Sequence, residues 1–166
     1  GADYIDTGEW SKKSIKDARR YCEVNVAAST QADGYRRIPK QSEWRTDPQA
    51  AYVHICANET IGGLEYQWLP DTGDVPLVAD MSSSFMSRPV DVARHGLIYA
   101  GAQKNIGPAG LTIVIVRDDL IGQALQITPS AFDYKAQADN DSMLNTPPTY
   151  AIYITGLVMD WMQAQG

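Results

Sequence analysis

One lysine in this chain stands where it could do covalent chemistry. Lys104 lies in Tyr99-Ala100-Gly101-Ala102-Gln103-Lys104-Asn105-Ile106-Gly107-Pro108-Ala109-Gly110, a stretch of small and polar residues. An apolar run at 96–100 precedes it and a second, at 111–116, follows; both have the length and the β-branched or aromatic content of buried strands. A lysine on a loop between two core strands is expected to be poorly solvated. Burial disfavours the charged form, and a neutral amine is a nucleophile suited to bonding an aldehyde. The plain alternative is a solvated loop lysine. A phosphate-cradling loop fails, because that motif ends its glycines with Lys-Ser/Thr at the start of a helix, whereas here Gly107 and Gly110 come after the lysine and a strand follows. No Gly-x-Gly-x-x-Gly follows a strand either.

Two more polar residues share that placement. Thr60 closes the strand-like run 52–57 through Asn58-Glu59, and Asp80 ends the run 76–79. In parallel α/β sheets ligands sit at the carboxyl ends of strands, so Thr60, Asp80 and Lys104 are expected at one site. On residue type alone Asp80 reads equally as a capping aspartate before Ser82-Ser83, and Thr60 as an ordinary strand-end threonine. His54, inside the run 52–57, reads as a satisfied core histidine, with a ligand or base as the other option.

The elements that must position these residues alternate. Further strands are predicted at 2–6 and 23–28. Ser11 is expected to cap a helix with Ile15, Ala18 and Cys22 on one face and Lys12, Lys13, Lys16, Arg19 and Arg20 on its solvated side. Short helical stretches are expected at 39–50, broken near Asp47-Pro48, and at 89–94. Residues 126–148 are polar without sustained period, the mark of a functional or mobile connection. A last helix at 149–163 places Ile154, Leu157, Val158 and Trp161 on one stripe. Alternating strands and helices predict an α/β fold with a mostly parallel sheet covered on both faces.

At 166 residues, 44% of them hydrophobic and 20% charged, the composition is that of one soluble globular domain. A net charge of −6 argues against nucleic acid as a partner. No run approaches the ~20 apolar residues that span a bilayer, and no basic-then-apolar leader opens the sequence, so no membrane association and a cytoplasmic location are expected. Cys22 and Cys56 read as buried free thiols rather than a disulfide, and with two histidines and no Cys-x-x-Cys no metal site is expected.

The lysine segment, residues 100–110, resembles the cofactor-lysine segment of phosphoserine aminotransferases, a pyridoxal-phosphate-dependent family. Tyr52-Val53-His54-Ile55-Cys56-Ala57-Asn58-Glu59-Thr60-Ile61-Gly62-Gly63, Val78-Ala79-Asp80-Met81-Ser82-Ser83 and Asp139-Asn140-Asp141-Ser142-Met143-Leu144-Asn145-Thr146-Pro147-Pro148-Thr149-Tyr150 resemble it too, in its order and spacing. The resemblance runs along essentially the whole chain. It implies a three-layer α/β/α fold of the pyridoxal-phosphate-dependent transferase type (fold type I), with residues 1–166 forming the cofactor-binding large domain. It further implies pyridoxal 5'-phosphate as cofactor, bonded to Lys104, with Asp80 at the pyridine nitrogen, Thr60 at the 3-oxygen and Gln103 on the phosphate side. Asn145 and Thr146 are implied to reach the phosphate in the neighbouring subunit of a homodimer. The implied reaction moves an amino group from glutamate to 3-phosphohydroxypyruvate, and to a related phosphorylated hydroxythreonine precursor, in serine and pyridoxine biosynthesis.

By the same resemblance an N-terminal segment and a C-terminal small domain lie outside this chain, and with them the glycine-linked phosphate cup, the substrate-binding arginines and the aromatic residue that stacks on the cofactor. None of Trp10, Trp44, Trp68 and Trp161 is expected at the stacking position. Two alternatives remain: another class-V-like pyridoxal enzyme such as a cysteine desulfurase, whose lysine follows a histidine where Gln103 stands here, or a non-catalytic folding or interaction fragment.

Overall fold

The structure is a computed structural model and describes residues 1–165. Its strands are β1 Ala2–Asp6, β2 Val24–Ser29, β3 Val53–Cys56, β4 Asn58–Glu59, β5 Leu64–Glu65, β6 Leu77–Asp80, β7 Leu97–Gly101 and β8 Thr112–Val116. The α-helices are α1 Glu9–Ala18, α2 Tyr134–Asp139 and α3 Thr149–Gln165. Six strands form one sheet in the order β2-β1-β3-β6-β7-β8, while β4 and β5 pair as a small separate hairpin. All neighbours in the large sheet are parallel except β7 and β8, which are antiparallel.

The predicted strands thus form, and their centre is as dry as a doubly covered parallel sheet requires. Every residue of β1 and β3 is buried. Strand alternation sorts the side chains into two clusters. Ile5, Val53, Ile55, Leu77, Ala79, Ile98 and Ala100 join the larger one, to which Trp44, Tyr66, Phe85 and Met162 of α3 also belong or pack. Ala2 and Tyr4 point the other way and meet Ile15, Ala18 and Cys22, the apolar face foreseen for α1. At the far edge the expectation fails in part. Residues 111–116 read as a buried strand, yet β8 is an edge strand with Thr112 and Val114 exposed, because nothing lies beyond it in the sheet.

Several local expectations are corrected. Gly8, not Ser11, is the N-cap of α1; Ser11 stands one turn in and its hydroxyl accepts from the Thr7 and Gly8 amides, both at 2.9 Å. The stretch 39–50 holds only a 3-10 turn at Gln41–Glu43, and 89–94 only one at Val92–Arg94. Within 126–148, α2 forms, capped by the Asp133 carboxylate on the Lys135 amide. Cys22 and Cys56 are free thiols. No helix among the described residues is long and apolar enough to cross a membrane.

Candidate active site

Where β7 ends, the chain turns sharply. Ala102 and Ile106 plug the core, both at 0% exposure, and the amides of Ile106 and Gly107 close on the Ala102 carbonyl at 3.2 and 2.9 Å. A turn anchored by those two side chains has to throw the residues between them outward. Gln103 and Lys104 are exposed accordingly, so the burial expected of Lys104 from its flanking strands is not what the fold provides. The lysine is held instead by two contacts. Its Nζ donates to Thr60 Oγ1 at 2.7 Å and lies 4.3 Å from the centroid of the Trp10 ring. An ammonium over an indole face gains roughly 0.5–1 kcal/mol at an exposed site.

Thr60 comes from the turn between β4 and β5. Gly63 closes that turn at φ +72°, a left-handed conformation that favours glycine, and its amide donates to the Glu59 carbonyl at 2.7 Å. Asp80 is the last residue of β6. Its Oδ1 accepts from the Ser82 amide at 2.9 Å and the Ser82 hydroxyl at 2.7 Å, so the local turn read from Asp80 to Ser82 exists. That same Ser82 oxygen accepts from the Gly101 amide at 3.0 Å, which ties Asp80 to the end of the lysine-bearing strand while leaving Oδ2 outside the turn.

Behind these residues runs a buried polar row. His54 is 3% exposed, its Nε2 is 2.9 Å from the Tyr99 hydroxyl, and the Tyr4 ring stacks on it at 4.7 Å. Burial pushes the His54 pKa down to about 4, with the Asp80 charge opposing. It is a neutral core histidine, but only half satisfied: Nε2 meets Tyr99, while the buried Nδ1 has no hydrogen-bond partner among the described residues. Burial also pushes the Cys56 thiol up, helped by the Glu59 and Asp80 carboxylates and opposed by Lys104, and Cys56 donates to the Asn58 carbonyl at 3.3 Å.

Gln103 is placed beside the lysine with its side chain folded over Gly101, where an added Cβ would meet its amide atoms at 2.9 Å. Asn145 and Thr146 are exposed on the connection from α2 to α3 and make no hydrogen bond to Lys104, Thr60 or Asp80. Two residues escaped sequence reasoning. Trp10 stands at the lysine although no tryptophan was expected at an aromatic position there; its place in the first turn of a helix after a predicted strand was the available signal. Glu59 is fully buried, and a charged residue between the run 52–57 and Thr60 was the hint.

A lysine at the carboxyl edge of a mostly parallel sheet, with a hydroxyl and an indole face against its amine, defines a lysine-centred α/β site. Comparison with known proteins makes the family specific: the chain belongs to the class-V aminotransferases, whose family model matches residues 2–166. It is 62% identical over 164 residues to the phosphoserine aminotransferase of Herminiimonas arsenicoxydans, covering 99% of this chain and 45% of that protein. Its identity to the phosphoserine aminotransferase of Pseudomonas aeruginosa PAO1 is also 62%, over 99% of this chain and 46% of the relative. Among solved structures, phosphoserine aminotransferase from Bacillus circulans subsp. alkalophilus superposes with a TM-score of 0.94 at 44% identity, over 98% of this chain and 45% of that one. The PLP-bound phosphoserine aminotransferase of Trichomonas vaginalis gives 0.91 at 40%, over 99% and 47%. The chain thus spans somewhat less than half the length of the relatives it matches.

Proposed function

We propose that this chain is the cofactor-holding part of a pyridoxal-phosphate-dependent aminotransferase that exchanges an amino group between glutamate/2-oxoglutarate and 3-phosphohydroxypyruvate/O-phosphoserine, a cytoplasmic enzyme of serine and pyridoxine biosynthesis. The observation that carries this reading is the fixed Lys104 amine, 2.7 Å from Thr60 Oγ1 and 4.3 Å from the Trp10 ring, in a chain 62% identical to phosphoserine aminotransferases. The residues present fit the cofactor. The Trp10 ring and the Thr60 hydroxyl, both against the Lys104 amine, would offer an aromatic face and a hydrogen-bonding group to a flat oxygen-bearing ring, and the Asp80 carboxylate is of the type that would pair with a protonated pyridine nitrogen.

When bound, pyridoxal 5'-phosphate supplies an aldehyde for the lysine and an electron sink for the substrate's α-carbon. Lys104 would hold the cofactor through Nζ, and the same amine is the group that would move the substrate's α-proton. Thr60 Oγ1 fixes where that nitrogen sits. The charge of Asp80 would favour a proton on the cofactor's ring nitrogen. Gln103 offers its amide on the phosphate side. Asn145 and Thr146, exposed and apart from the lysine's hydrogen bonds, are proposed to serve the phosphate of the neighbouring site in a homodimer. Residues 1–166 act as the large domain in this reading, with glutamate and 3-phosphohydroxypyruvate as small-molecule substrates.

The test is borohydride reduction of a full-length, cofactor-loaded protein carrying this chain, followed by peptide mass mapping. The reduced pyridoxyl adduct is expected on Lys104. An adduct on another residue, or turnover with phosphoserine no better than with unphosphorylated serine, overturns the assignment.

A further inference from the structure

A helix leaves its first amides without partners, and the N-cap side chain ordinarily accepts from those at the second and third positions. The N-cap of α1 is Gly8, which has no side chain to offer. The amides of Trp10 and Ser11, the second and third residues of the helix, donate instead to the two oxygens of one carboxylate. Trp10 N is 2.9 Å from Glu59 Oε2, and Ser11 N is 2.8 Å from Glu59 Oε1. Glu59 is 0% exposed and has no ion-pair partner among the described residues. A buried carboxylate without a cation is costly unless hydrogen bonds replace its water, and two amides at the positive end of a helix dipole do so. Gly8 is what makes room: a Cβ there would lie 2.7 Å from Glu59 Cδ and 2.8 Å from Oε2.

The next residue in the chain, Thr60, holds the Lys104 amine. One dipeptide therefore grips both partners, Glu59 the backbone of Trp10 and Thr60 the nitrogen of Lys104. We infer that Glu59 is a positioning residue, capping α1 from the β4–β5 hairpin so that the Trp10 ring is set at its distance from Lys104. Its consequence for the cofactor rests on the function proposed above: Glu59 touches neither cofactor nor substrate, and acts on cofactor affinity only through Trp10.

The test has two arms on a full-length protein carrying this chain. Without cofactor, amide hydrogen exchange at Trp10 and Ser11 is expected to quicken about tenfold or more in Glu59→Ala, less in Glu59→Gln, which keeps one acceptor, while β1 and β3 stay protected. Gly8→Ala, which pushes the carboxylate away with Glu59 intact, is expected to quicken the same two amides and guards against a Glu59 variant that fails to fold. With cofactor, Glu59→Ala and Trp10→Ala are each expected to weaken pyridoxal phosphate binding about tenfold, and the double variant no further than Trp10→Ala alone, because the two act as one unit. Unchanged exchange at Trp10 and Ser11, or affinity losses that add, overturns the inference. Failure of the unmutated protein to bind pyridoxal phosphate would sink the proposed function instead, and the exchange arm would still decide the role of Glu59.

Discussion

Thr60 Oγ1 accepts from an ammonium that is otherwise open to water, so its removal should be felt as misplacement more than as lost stability. Thr60→Val keeps the shape and deletes the acceptor. On the function proposed above, the affinity of a full-length protein carrying this chain for pyridoxal phosphate, followed at the imine absorbance, is expected to fall roughly tenfold, near the lower end of what a charge-assisted hydrogen bond contributes. Thr60→Ser should restore most of it; equal weakness in both variants would show that the hydroxyl is not the cause. Asp80→Ala should act on a different quantity. In a full-length protein carrying this chain, on the function proposed above, the lysine adduct is expected still to form, whereas transamination is expected to fall by about a hundredfold or more, as when a group that supports proton transfer is lost. Unchanged turnover would remove Asp80 from the assignment. His54 governs stability rather than chemistry. It is neutral when folded, with a pKa of about 4 against 6.5 in the unfolded chain. Between those values the unfolded state binds more protons, so the stabilisation is complete above about pH 6.5 and is lost as pH falls toward about 4, by up to about 3 kcal/mol. Urea unfolding at a series of pH values should show that slope, and His54→Gln should flatten it.

At the scale of the elements, α3 and the lysine loop are fitted to each other. An added Cβ on Gly107 would stand 2.2 Å from Thr155 Oγ1 and 3.4 Å from the Thr155 Cα, so the helix approaches the loop as closely as glycine allows. Gly107→Ala is expected to cost ~1–3 kcal/mol by overpacking, read as a lowered urea midpoint; the paired change Gly107→Ala with Thr155→Ala should recover part of it. This contact also explains what the sequence concealed. The helix at 149–163 is legible, but its stripe is docked only in part: Ile154 and Val158 are half-buried, whereas Leu157 and Trp161 face outward. Ala151 and Thr155 are the buried residues, with Met162 reaching the core, while Leu157 and Trp161 stand 47% and 60% exposed. In a helix with Asp160 as its one charged residue, apolar periodicity does not select a face; the close approach at Gly107 selects small residues instead. The same limit hid the exposure of Lys104. Apolar runs locate strands and their ends, which put Thr60, Asp80 and Lys104 at one edge, but the direction of the loop is decided by Ala102 and Ile106 turning inward. Trp10 and Glu59 meet across a sequence separation that no local pattern reports.

Over the whole molecule, the sheet buries its centre and leaves its chemistry at the carboxyl edge, and the final third carries the apolar surface. With small residues docked inward, the large ones of α3 project outward. Tyr150, Tyr153, Leu157 and Trp161 follow one another at helical spacing with exposures of 73%, 62%, 47% and 60%, and Ile127 and Phe132 add 66% and 72% in the preceding connection. At roughly 25 cal/mol per Å² of apolar surface withdrawn from water, such a stripe favours association over solvation, and the net charge of −6 opposes it only at low ionic strength. The isolated chain is therefore expected to associate reversibly at micromolar concentrations, more strongly as salt is raised. Sedimentation velocity across a concentration series measures this. Tyr153→Glu with Trp161→Glu, both on exposed positions, should shift the population to monomer without lowering the unfolding free energy by more than about 0.5 kcal/mol. A chain that sediments as a monomer at all concentrations and salts would mean that α3 tolerates water on its large-residue face, and the homodimer proposed above would then have to be built elsewhere.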